Sequence, residues 1–154
     1  MPILNYTTKI DVRKTAAEIQ DILADAGAQA VHIEYEERIP IAISFQITLQ
    51  GRAVAFRLPS RWQGVHKLLM KDSRVERRFK SEDQARRVAW RIIKDWSEAQ
   101  LAIVQAGTAE LAEVFLPYAV NPQTGYTLYQ EFQSGNLLGS GKPDEAVDGE
   151  WKPA

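Results

Sequence analysis

The stretch SEDQARRVAWRIIKDWSEAQLAIVQAG, residues 81–107, predicts the longest helix of the chain. Ser81 is suited to cap the first free amides, and the side chain of Gln84 can reach back to the Ser81 amide to complete a capping box. The two acids after Ser81 place negative charge at the positive end of the helix dipole. Gly107 supplies a left-handed residue that ends the helix. The pattern therefore predicts a helix over residues 82–106.

This helix has an apolar face and a basic face. Its apolar residues recur at intervals of three and four, so they form one stripe that is expected to face the core. The stripe consists of Ala85, Val88, Ala89, Ile92, Trp96, Ala99 and Ile103. The basic ridge consists of Arg87, Arg91 and Lys94, with Arg86 beside them.

The segments before residue 60 complete the prediction of an α+β fold. Alternating β-branched residues over 5–10 predict a short N-terminal strand. An apolar stripe then predicts a helix capped by Asp11 or by Thr15, which could open a second capping box. Over residues 30–59 the period changes to two, which predicts three antiparallel strands in a meander. One face of this sheet is apolar, so helices are expected to cover it.

Two shorter helices are predicted beyond the sheet. Ser60 and Gln63 form a third potential capping box, which predicts a helix as far as about Met70. A second short helix is predicted over residues 109–116, capped by Thr108.

The composition is that of one globular domain. The chain has 154 residues, of which 45% are hydrophobic and 25% are charged, and we expect one α+β domain over residues 1–133. Residues 134–154 are acidic, lack any period and are rich in Gly, Ser and Pro, which predicts a flexible tail.

Several classes of chemistry are disfavoured. The chain has no cysteine and only two histidines, so a thiol nucleophile, a disulfide framework and a metal site built from Cys or His are not expected. No GxxxxGK(S/T), GxGxxG, HExxH or GxSxG string occurs. We therefore predict no enzyme activity, no catalytic residue, no metal and no cofactor. The sequence contains neither a membrane-length apolar run nor a secretory leader, which predicts a protein of the cytoplasm.

Charge is strongly segregated along the chain although the net charge is only −1. Residues 52–94 contain thirteen Lys and Arg against four acids, whereas residues 95–154 contain two Lys against nine acids. One interpretation is that the basic and acidic segments pair with each other, within a molecule or between neighbours. The other interpretation is an anionic partner for the basic region.

The basic region supplies the candidate binding residues. An aromatic ring among cations is typical of proteins that stack a base and hold the adjacent phosphates, although Phe79 could equally pack beneath its own loop. The candidates are Arg57, Arg74, Arg77, Arg78, Phe79, Lys80, Arg86, Arg87, Arg91 and Lys94. The second face of the meander, with small and polar residues around Arg57, is expected either to face solvent or to meet a subunit or a flat ligand.

Three segments resemble a family of small proteins encoded by phages, prophages and bacteria. They are AWRIIKDWSEAQLA (89–102), VFLPYAV (114–120) and FRLPSRWQGV (56–65), and the resemblance spans roughly residues 1–130. No activity is firmly assigned to that family, so the resemblance implies a phage context and no site residues. The order of helix, three-strand meander and helix is also similar to the core of phage single-strand annealing proteins, which are more basic overall than this chain.

These observations predict a non-enzymatic, homo-oligomeric protein of phage type that binds single-stranded nucleic acid, or another phosphate-bearing ligand, through residues 52–94. Two alternatives remain. One is a counter-defence protein that sequesters a host nucleotide signal or a host protein. The other is a structural assembly subunit whose acidic tail docks on the basic ridge of the next molecule.

Overall fold

The alternating residues of 30–59 form a three-stranded antiparallel sheet, and helices before and after it pack against one face. The computed structural model describes residues 1–135, so all but the first two residues of the predicted tail lie outside the described part. The strands are β1 (Ala30–Glu36), β2 (Ile39–Leu49) and β3 (Arg52–Pro59). The helices are α1 (Val12–Asp25), α2 (Trp62–Lys71), α3 (Glu82–Gln105), α4 (Leu111–Phe115) and α5 (Leu128–Gln133). The predicted α+β class and meander are confirmed.

The core lies between the sheet and the pair α1 and α3. Strand β2 is central and pairs with both neighbours, and its Ile43 and Phe45 side chains are buried. Phe45 stacks on Phe56 of β3 with ring centroids 5.1 Å apart, and Phe115 meets Phe45 edge-on at 5.4 Å. Aromatic pairs of this geometry add to the stabilisation from burial alone.

Helix α3 has nearly the bounds that its sequence predicts. The Ser81 hydroxyl accepts a hydrogen bond from the Gln84 amide at 3.1 Å, and Gly107 has φ +75°. The predicted apolar stripe is wrong towards the C-terminus, where Ile103 is 40% exposed. Ser97 is instead buried, and Leu101 packs against the core, because the core-facing positions drift around the helix.

Trp90 is the largest buried side chain of α3. It is fully buried, and its indole Nε1 donates to the carbonyl oxygen of Pro40 at 3.1 Å. Pro40 lies at the start of β2, next to the turn between β1 and β2. The contact therefore fixes the N-terminal half of α3 against that turn.

The predicted N-terminal strand over residues 5–10 is wrong. The segment forms a turn, with Asn5 at φ +64°, followed by irregular chain. Gln84 explains the difference, because its side-chain amide donates to the carbonyl oxygens of Tyr6 at 2.8 Å and Thr8 at 2.9 Å. The Oε1 atom of Gln84 accepts from Arg87 and not from the Ser81 amide, so the predicted capping box at Ser81 does not form.

The other two predicted capping boxes are also wrong. Asp11 caps α1 by accepting from the Arg13 amide at 2.8 Å, whereas Thr15 is buried inside the helix. Helix α2 begins after Arg61, whose φ is +47° and whose side chain makes no capping bond. Ser60 is held by its own amide, which donates to the Ile41 carbonyl oxygen at 2.8 Å.

The C-terminal helices begin at caps other than the predicted Thr108. Glu110, not Thr108, forms a capping box with Glu113 at the start of α4, because the Thr108 hydroxyl donates to the Ile103 carbonyl oxygen. Helix α4 is thus shorter than the predicted 109–116, and a 3-10 helix follows it. Helix α5 was not predicted, although Thr127 and Gln130 form a complete capping box there.

We predict that Trp90→Phe lowers the free energy of unfolding by about 2–3 kcal/mol, because it leaves a cavity and an unsatisfied carbonyl group. Urea denaturation followed by circular dichroism measures the change. The control is Ile103→Ala on the exposed side of α3, which should change the free energy by less than about 0.5 kcal/mol. Equal losses for the two variants would contradict the packing described for Trp90.

Candidate functional site

Five of the predicted binding cations are held by carboxylates of the same molecule. The pairs are Arg57 with Glu34 at 2.7 Å, Arg74 with Asp72 at 2.8 Å, Arg78 with Glu76 at 3.0 Å, Arg91 with Glu18 at 2.5 Å and Lys94 with Glu98 at 2.9 Å. The continuous cationic ridge expected along α3 is therefore interrupted, since Arg91 and Lys94 already have counter-charges. Residues 52–94 do not present one uniformly free basic surface.

Two of these pairs cannot add to a basic surface on α3. The pair of Arg57 and Glu34 lies on the other face of the sheet, and the pair of Arg74 and Asp72 forms within a single loop. Arg57 alternates with the buried Phe56 and Leu58, so it projects from the sheet face opposite to α3. Arg74 donates two side-chain hydrogen bonds to Asp72, and this bonding lowers the pKa of Asp72 to about 2. A carboxylate held ionised in this way keeps its arginine occupied.

The predicted stacking residue Phe79 is half-buried rather than open. Its ring meets Tyr6 edge-on at 5.9 Å and packs against a small cluster around Leu69 and Val75. The guanidinium of Arg78 lies 4.6 Å from the ring centroid of Phe79. One face of the ring is thus covered by a cation, and of the two alternatives for Phe79 the packing against its own loop agrees with these contacts.

The remaining two candidates of the 71–80 loop are less constrained. Lys80 donates weakly to the Met70 carbonyl oxygen at 3.4 Å. Arg77 is exposed on a short 3-10 helix, and within residues 1–135 no ion pair holds it.

Arg87 is positioned by a neutral group. Its Nε and Nη2 atoms donate to Oε1 of Gln84 at 3.0 and 2.8 Å. Gln84 is itself only 3% exposed and is anchored to the N-terminal segment, so it is a rigid support. An amide fixes the guanidinium without cancelling its charge.

Arg86 is also held without a counter-charge. Its guanidinium carbon lies 4.2 Å from the ring centroid of Trp62 in a cation–π contact. Its Nη1 atom is buried and has no hydrogen-bond partner in the described part of the chain. Buried donors are rarely left unsatisfied, so this atom is an exception among the buried polar groups of the described residues.

Arg13 and Arg38 join these two arginines although neither belongs to the predicted basic region. Arg13 follows the cap of α1, and its Nη2 donates to the Arg38 carbonyl oxygen at 2.8 Å. All four arginines line one cavity of about 220 Å³, together with Asp11 and Asp83. No charged nitrogen of the four lies within 4.0 Å of a carboxylate oxygen belonging to residues 1–135. We call this cavity the arginine pocket.

The turn that carries Arg38 is strained. Glu37 and Arg38 form the two-residue loop between β1 and β2, with φ of +49° and +68°. Loops of this kind favour Asn and Gly because side-chain-bearing residues of other types resist positive φ. Strained residues of this kind cluster at binding and catalytic sites, which agrees with the position of Arg38 on the arginine pocket.

A second, larger cavity adjoins the arginine pocket through Arg87, which lines both. Its volume is about 570 Å³, and its walls combine cations with the rings of two aromatic residues. The cations are Lys9, Arg87 and Arg78, the last of which is paired with Glu76 of the same wall, and the aromatic residues are Tyr6 and Phe79. We call it the aromatic cavity.

Only two of the four arginines of the arginine pocket lie in the predicted basic region. Arg86 and Arg87 were predicted because they lie in the dense basic region. Arg13 and Arg38 come from segments whose charge balance is negative, and only the packing of α3 against the hairpin brings them close. The signal that could have pointed to Arg38 was the tight turn itself, because Glu and Arg are residue types that rarely adopt the positive φ of a two-residue hairpin loop.

Comparison with known proteins gives no relative for this chain. Neither a scan against models of protein families, nor a search of curated proteins, nor a search of solved structures found a match. The resemblance to phage-encoded proteins stays a prediction. Among the described residues, no helix is both long and apolar enough to cross a lipid bilayer.

We predict that the double change Glu37→Asn and Arg38→Gly raises the free energy of unfolding by about 1–2 kcal/mol, because both replacements accept positive φ. Urea denaturation measures it. Glu36→Asn, in the extended strand next to the turn, is the control and should bring no gain. An unchanged stability of the double variant would show that the turn is not strained.

Proposed function

We propose that the protein binds single-stranded nucleic acid, without chemistry, in the groove formed by the arginine pocket and the aromatic cavity. The observation that supports it best is the convergence of four arginines from three separate segments on one pocket without an ion pair among the described residues. The sequence predicts binding along the whole of residues 52–94, whereas the site proposed here is limited to the N-terminal end of α3 and the segments that pack beside it.

Phosphate is the ligand group that this chemistry favours. Guanidinium groups present planar pairs of donors that match phosphate oxygens, and they keep their charge when partly buried. Arg86 and Arg87 are half-buried, and each is held in place by a neutral group. Such arginines lose little further side-chain freedom when they bind, so more of the interaction energy appears as affinity.

A single strand agrees better with the groove than a duplex does. The aromatic cavity is concave, and Tyr6 and Phe79, which meet edge-on, both line it. Unpaired bases can enter such a cavity and contact aromatic rings while cations hold the backbone. A duplex buries its bases and would offer this cavity only its sugar–phosphate surface.

A second candidate is the sequestration of a small host nucleotide. The limited volume of the arginine pocket favours it, because a mononucleotide could fill the two cavities without extending beyond them. Calorimetry with a mononucleotide and with an oligonucleotide separates the candidates. A strand binder should gain affinity with each added nucleotide over the length of the groove, whereas a nucleotide trap should not.

We predict that Arg87→Ala weakens binding of a fluorescent oligothymidylate about tenfold or more, since a lost charged contact of about 1.4 kcal/mol or more corresponds to that factor. It should also reduce the slope of log affinity against log salt by about one. Fluorescence anisotropy over a salt series provides both values.

The matched control is Arg74→Ala, which removes the same charge from an arginine that Asp72 already holds. Its affinity should stay within about twofold of the unaltered protein. Equal losses for the two variants would mean that net charge, and not the groove, determines binding. No binding by the unaltered protein at low salt would refute the proposed function.

A further inference from the structure

The two cavities differ in size, and the difference suggests which part of a strand each one takes. Pockets that enclose a whole small molecule usually measure about 300–1,000 Å³. The aromatic cavity, at about 570 Å³, lies in that range, whereas the arginine pocket, at about 220 Å³, is smaller. The arginine pocket is therefore sized to take part of a nucleotide, such as its phosphate group, rather than a whole one.

The charge of the arginine pocket is suited to a dianion. Four guanidinium groups face two carboxylates, which leaves a surplus of two positive charges. A phosphate monoester carries a charge of about −1.5 to −2 at neutral pH and has three acceptor oxygens. A phosphodiester inside a strand carries one negative charge and must continue into a sugar on both sides.

The number of donors in the arginine pocket favours the same ligand. Four guanidinium groups line it, and Arg13 and Arg87 are positioned by neutral groups that leave their charges uncompensated. A monoester offers three terminal oxygens to these donors, whereas a diester within a strand offers two. The arginine pocket therefore provides more donors than an internal phosphate can use.

On the basis of the proposed function, we infer that the arginine pocket recognises the terminal phosphate monoester of a strand, with the adjoining nucleoside in the aromatic cavity. Arg87 lines both cavities and contacts the phosphate at the point where the strand leaves the arginine pocket. The protein is thus a reader of phosphorylated strand ends rather than a coating protein that binds along the strand.

The test uses three oligonucleotides of one sequence that compete with a labelled strand. One carries a 5′-phosphate, one carries a 3′-phosphate, and one has hydroxyl groups at both ends. We expect one of the phosphorylated strands to bind about tenfold or more tightly than the hydroxyl-ended strand. Arg38→Ala should abolish this difference, and Arg74→Ala should preserve it. Thermal unfolding of each variant confirms that it is folded.

A pH series gives a second readout. The second pKa of a phosphate monoester is about 6, so the preference should shrink as the pH falls from 7 to about 5 and the phosphate gains a proton. The charged groups that line the arginine pocket are four arginines and two aspartates, with no histidine among them. A loss of the preference over this range therefore reports protonation of the phosphate monoester.

The possible results separate the inference from the proposed function. Equal, salt-dependent binding of all three strands would overturn end recognition and leave strand binding intact. Binding of a 5′-mononucleotide but of no oligonucleotide would refute strand binding, overturn the recognition of strand ends and favour the sequestration of a nucleotide. If neither a mononucleotide nor any strand binds, both proposals fall.

Discussion

The hydrogen bond from the Trp90 indole to the Pro40 carbonyl oxygen fixes the geometry on which the candidate site depends. Pro40 lies two residues after Arg38, and Trp90 lies three residues after Arg87, so this one buried contact sets the distance between the hairpin turn and the N-terminal half of α3. Trp90 is fully buried, and a buried indole N–H needs its acceptor. Helix α3 therefore cannot slide along the sheet without losing that bond. The arginine pocket is a consequence of core packing rather than of any local motif.

The arginines of the arginine pocket differ from the other cations of the basic region in the type of group that holds each side chain in place. Arg91 is fixed by Glu18 and joins α3 to α1, which makes it part of the fold. Arg87 is fixed by the amide of Gln84, which orients the guanidinium but leaves its charge uncompensated. A carboxylate partner removes most of the attraction for an anion, whereas an amide, a carbonyl group or an aromatic ring does not. Charge density along the sequence could not reveal this distinction, since it depends on which neighbours the fold provides.

Much of the fold could be predicted from the sequence, because period and capping residues are local signals. The alternation over 30–59 defined the meander, and Ser81 and Gly107 defined the ends of α3. The N-terminal strand was predicted wrongly because Gln84, more than seventy residues away, binds the backbone of that segment. The site was predictable only in part for the same reason. Arg86 and Arg87 lay within a visible basic region, whereas their two partners come from acidic segments that approach only in three dimensions.

The most direct test of the arginine pocket is a titration with inorganic phosphate, followed through the side-chain N–H resonances of the arginines by nuclear magnetic resonance. We expect the resonances of Arg13, Arg38, Arg86 and Arg87 to shift together with a single dissociation constant. Those of Arg74 and Arg91, which carboxylates already hold, should stay nearly unchanged. Similar small shifts of every arginine, or independent dissociation constants for the four, would contradict a single preformed anion site.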